Sequence, residues 1–158
     1  MKVRKNTLWK VPVFCLIFGW LSFYLTVFLG APFYIVQTPG ADGVTTLSAD
    51  PVRSAIWNGG LLLVFLLLGG LWAFRSMTRK EIAISAGILV GFYLVITLAQ
   101  LWIPGFPVSL SVTLGKFGNW QAMVAELLIG MTGNITLSVI LGAFTPLLFI
   151  PFGKGSGK

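Results

Sequence analysis

Four long apolar runs organise this chain, at about residues 11–36, 52–75, 81–103 and 120–152. Their inner parts, 11–36, 54–74 and 82–103, carry no charged side chain, and 121–152 carries only Glu126. A helix crossing about 30 Å of hydrocarbon needs about 20 apolar residues, so each run is long enough to span. The pattern predicts an all-α integral membrane protein with four transmembrane helices in a single domain over 1–158.

The connections are unequal. Arg75–Glu81 is a short turn that makes the second and third helices antiparallel neighbours. In the first long connection, Phe33–Thr38 reads as extended, Pro39–Gly43 as a turn and Val44–Leu47 as a returning strand. In the second, Val108, Leu110, Val112 and Leu114 alternate with Ser109, Ser111 and Thr113, a period of two. These connections predict a small β-hairpin or three-stranded sheet. Asp50-Pro51 supplies an N-cap and a first helical residue for the second span, and Asn119 is placed to cap the fourth.

Two stretches resemble each other. Phe23-Tyr24-Leu25 and Phe92-Tyr93-Leu94 match, each is followed by Pro and Phe, and Val44–Leu47 and Val112–Leu114 stand in similar places. The expectation is two tandem halves, about 10–78 and 79–152, of the same orientation.

Small and polar residues recur at four-residue spacing inside three runs. Ala122, Glu126, Gly130, Asn134, Ser138 and Gly142 mark the fourth, Ala83, Gly87 and Gly91 the third. Cys15, Gly19, Ser22, Thr26 and Gly30 mark the first. Such spacing stays near one helix face, and small residues let helices approach closely. Gly87, Gly91, Gly130 and Gly142 are therefore the expected packing positions. A second reading makes Glu126, Asn134, Ser138, Gln100, Ser22 and Thr26 a polar lane for a solute or ion. An intramembrane carboxylate is a functional candidate, but counting back from Lys154 places Glu126 near the boundary, within reach of Arg53 or Lys116. Leu61–Leu68 has no polar side chain and is expected to face lipid.

Composition adds direction. Hydrophobic residues make up 56% and charged residues 9%, with a mean hydropathy of +0.92, far from the roughly 25% charged of soluble domains. The net charge is +7, yet nine of the eleven Lys and Arg precede the first span, follow the fourth, or lie between the second and third. Only Arg53 and Lys116 fall elsewhere. By the positive-inside rule both termini are cytoplasmic, and the expected location is the plasma membrane of a prokaryote. The basic charge reads as topology and lipid attraction, not as nucleic-acid binding. Trp9 and Trp72 fall at the inner ends of runs, Trp57, Trp102 and Trp120 at the outer ends, as an aromatic belt requires. The first run is too long for a signal-peptide core.

Reactive chemistry is sparse. There is no His, one Cys and four carboxylates, so metal and His-based triad templates fail. Paired aspartates or paired cysteines are absent from the runs, and only a Ser–Lys arrangement stays formally open. The glycine-rich tail lacks the strand and helix of a phosphate loop, and Asn134-Ile135-Thr136 is a sequon inside an apolar run. No cofactor is expected. The sequence thus points to a non-enzymatic accessory, assembly or interaction subunit whose partners are the bilayer and another membrane protein or a second copy. The alternative is an oligomeric small-solute or ion transporter using Glu126.

Overall fold

The computed structural model describes Arg4 and residues 7–39, 45–105 and 107–155. Three long helices form its frame: α1 (Lys10–Tyr34), α2 (Pro51–Ala73) and α3 (Arg79–Trp102). Each is long and apolar enough to cross a bilayer. The starts of α2 and α3 are encoded locally. The Asp50 carboxylate accepts the N–H groups of Val52 and Arg53 ahead of Pro51. Thr78 and Glu81 form a reciprocal capping box, satisfying amide groups that a helix start leaves unpaired.

One end of the molecule gathers Arg4, the turn before α3 and Lys154. Arg4 Nε donates to Glu81 at 3.0 Å and its guanidinium reaches the Ser76 carbonyl at 2.8 Å. The Lys154 amide donates to Met77 O at 2.9 Å. This basal end therefore holds the segments that flank the frame on the same side. At the opposite end, β1 (Ile35–Pro39) and β2 (Thr45–Ala49) pair antiparallel, with Ile35 opposite Ala49 and Pro39 opposite Thr45. Residues 40–44, which hold most of the expected turn and Val44, lie outside the described residues.

The expected third strand is a helix. Val108–Phe117 forms α4, with the Ser111 amide bonded to Pro107 O and the Thr113 hydroxyl to Ser109 O. Alternation records side-chain chemistry only. In an apolar setting the backbone must satisfy itself, and a helix does so without a partner strand. Ser and Thr assist by bonding to carbonyls of the preceding turn. Val112–Leu114 is therefore helical whereas Thr45–Leu47 is a strand, so the two stretches differ in secondary structure.

The fourth run also departs from a single helix over 120–152. It contains α5 (Asn119–Thr132), then a reversal at Gly133 with φ +67°, then α6 (Ile135–Gly142) and a 3₁₀ segment, Thr145–Phe152. A left-handed φ is accessible to glycine at little cost, so Gly133 fits the reversal. α6 and the 3₁₀ segment meet at a 42° bend and together pass as a fourth span.

The contacts define the path of α4 and α5. α4 leaves the outer end of α3 and runs back until the Phe117 carbonyl accepts the Tyr93 hydroxyl at 3.4 Å. α5 starts beside Ser22 and Thr97 and climbs until Glu126 meets Ser54 and Asn58 near the start of α2. The two helices make a V whose open end faces the hairpin and whose tip packs against α1. Asn119 consequently does not cap α5, and its amide donates to Ser22 Oγ at 2.9 Å instead.

Trp120 stands at this tip and is fully buried, not in an outer belt. Its ring centroid lies 5.4 Å from Phe149 and 6.3 Å from Phe65. Phe14, Phe18 and Phe74 complete an aromatic core, with Phe74 and Phe149 edge-on at 4.8 Å. Such tilted contacts suit the ring quadrupole. Phe65 in the Leu61–Leu68 stretch turns inward, while Leu63, Val64, Leu67 and Leu68 face outward.

Candidate functional site

The most polar constellation on the side of the bundle is built by α2 and α5. Ser54 and Asn58 are four residues apart, hence on one face of α2, and both are buried. Asp50 fixes the start of that helix, so the two side chains are held at about one and two turns from its beginning. The Ser54 hydroxyl donates to Glu126 Oε1 at 2.5 Å, and the Asn58 amide to Oε2 at 2.8 Å. Asn58 also reaches Ser54 Oγ at 3.4 Å. Two neutral donors thus occupy both carboxylate oxygens.

Neither expected cation reaches Glu126. Arg53 Nε lies 4.0 Å from Asp50, and Lys116 Nζ stands 5.5 Å from the Phe23 ring centroid. Lys116 is drawn away because α4 folds inward instead of lying as an outer strand. Among the described residues Glu126 forms no ion pair. Its carboxylate stays exposed and lines a cleft of about 270 Å³ with Ala55, Ile129 and Gly130. This arrangement can receive a cation or a strong donor from outside the chain. A lone carboxylate with two neutral donors offers no acid–base pair, and no group of three His, Cys, Asp or Glu occurs among the described residues.

The other lane residues do not converge. Ser22 donates to Gly19 O and accepts from Asn119. Thr26 accepts from Trp57 Nε1 at 3.2 Å. Ser138 and Thr132 share a hydrogen bond of 3.0 Å, and Asn134 caps α6 by accepting the Leu137 amide. Gln100 lines a separate apolar cavity of about 250 Å³ beside Tyr93 and Phe117. The lane is divided into local pairs because the V places its polar groups at different levels.

The packing glycines divide as well. A Cβ at Gly142 would come within 2.7 Å of Gln121 O, whereas at Gly87, Gly91 and Gly130 it would meet nothing within 4 Å. The buried stripe of α3 runs through Ile82, Ala86, Leu89 and Tyr93, so Gly87 and Gly91 point away from the bundle. Close approach is instead found at Gly19, Gly69 and Gly70, where Phe117, Phe149 and Phe152 stand in the way of a side chain.

Ser54 and Asn58 are the functional candidates that the apolar pattern hides. Their signal was two hydrogen-bonding side chains one turn apart at the start of an oily run. No family model matches the chain, and no curated protein or solved structure matches it significantly.

Proposed function

We propose that the chain is a multi-pass plasma-membrane protein with cytoplasmic termini, acting without catalysis as an accessory or assembly subunit. Its docking point is the Glu126 cleft. One observation carries the reading: Glu126 is pre-positioned by Ser54 and Asn58 yet stays exposed, and among the described residues no cation pairs with it. A carboxylate in an apolar wall is costly unless paired, and a basic side chain of a partner helix supplies that pair. The nine-to-two distribution of Lys and Arg supports the orientation.

A photo-reactive amino acid at Ala55 or Ile129 tests the proposal in native membranes. One specific adduct is expected, reduced at least tenfold by Glu126→Gln. Lack of an adduct, or one indifferent to that change, overturns the reading. The open cleft at Glu126 also favours a second reading, an oligomeric ion pathway. That reading requires adducts between two copies and cation flux lost in Glu126→Gln.

A further inference from the structure

At the basal end, far from Glu126, α1 and the end of α2 border a shallow, open groove of about 440 Å³. Lys10, Val13 and Ile17 line it on successive turns of α1, a run of about 10 Å. Phe14 and Phe74 floor it and are buried in the core. Trp9 and Trp72 stand at its sides, 70% and 80% exposed. The chemistry changes at the mouth. Lys10 Nζ approaches Ser76 Oγ at 3.5 Å, and Arg75, next to Phe74, is exposed.

An occupant matching this shape is a hydrocarbon rod ending in an anion. We propose that the groove binds one acyl chain of an anionic phospholipid, with its phosphate held by Lys10 and Ser76. Basic pockets between membrane helices recognise such headgroups electrostatically, and exposed indoles settle at headgroup level. Both features coincide here at one end of an apolar groove. A zwitterionic lipid fits the groove but gains less from the cationic mouth. The inference rests on the reading of α1 and α2 as membrane-spanning, and it is independent of the partner assigned to Glu126.

The test uses the purified full chain in neutral detergent, titrated with phosphatidylglycerol or phosphatidylcholine bearing brominated acyl chains. In a background with Trp20, Trp57 and Trp102 replaced by Phe, quenching of tryptophan fluorescence reports bromine beside Trp9 and Trp72, since Trp120 is fully buried. Phosphatidylglycerol is expected to half-saturate at a roughly fivefold lower mole fraction, the worth of about one basic side chain at an anionic surface. Lys10→Gln should abolish this preference and Lys10→Arg retain it. Val13→Phe with Ile17→Phe, which fills the groove, should weaken quenching by both lipids. In Trp9→Phe with Trp72→Phe most of the lipid-dependent signal should disappear. Equal half-saturation by the two lipids, a preference persisting in Lys10→Gln, or quenching unchanged in the double Trp variant would overturn the proposal. Glu126→Gln should leave these curves unchanged, so failure of the docking proposal and failure of the lipid site are read separately.

Discussion

The Phe117 carbonyl oxygen occupies the space where a Cβ on residue 19 would stand. Gly19 sits midway along α1, and the tip of the V rests on its bare backbone. Adjacent bonds lock the contact, with Ser22 accepting from Asn119 and Tyr93 donating to Phe117. Gly19→Ala should therefore lower stability by about 1–3 kcal/mol through overpacking. Gly87→Leu and Gly91→Leu should stay within about 0.5 kcal/mol. Unfolding in detergent measures all three, and an equal loss at Gly87 would show that the outward face of α3 is packed.

Helical geometry in α4 makes a different prediction. Proline inside a helix costs about 3 kcal/mol, so Val112→Pro should be strongly disruptive. Pro39, in contrast, already sits within β1. If Val112→Pro unfolds at the parent temperature, the helix assignment at 108–117 is wrong.

Around Glu126, Ser54→Ala removes the hydroxyl that serves both the carboxylate and Asn58. A loss of roughly 1 kcal/mol is expected for such a buried group. Arg53→Ala, whose ion pair is exposed and long, should change stability by no more than about 0.5 kcal/mol. The comparison by chemical denaturation shows whether α2 is joined to α5 by the neutral donors or by charge.

Sidedness is open to cysteine labelling in a Cys15→Ser background. Leu47→Cys in β2 and Met131→Cys at the end of α5, 67% and 82% exposed in the parent, should react from outside sealed cells. Ser76→Cys, at the basal end, should not. Lys116→Cys should label slowly, because position 116 is half-buried beside the tip of the V. Reaction at position 76 in sealed cells would reverse the proposed orientation.

How far the pattern could be read depended on which interactions it recorded. Asp50-Pro51 foretold the start of α2 because a cap and its proline act within one turn. The three long helices followed from length and hydropathy alone. The capping box at Thr78 and Glu81 is equally local. The V was harder, since Val108–Leu114 alternates as a strand does while its backbone follows the demand for internal hydrogen bonds. Trp120 looked like a belt residue because an indole suits a headgroup layer and an aromatic core equally. Only the contact of Phe117 with Gly19, 98 positions earlier, decides between them. Glu126 was visible as the sole charge of its run, but its partners depended on how α5 climbs past α2.

The seating of Trp120 between Phe65 and Phe149 has a consequence for biogenesis. Phe65 is synthesised before the indole and Phe149 after it, so the aromatic cluster gains its last wall only when the 3₁₀ segment emerges. At roughly 5–20 residues per second, residues 120 to 149 take about 1.5 to 6 seconds to make. Through that interval the indole has one side uncovered, and the nascent bundle presents an opening that lipid or an assembly factor can occupy. Closure of the aromatic cluster is thus timed by translation of the 3₁₀ segment.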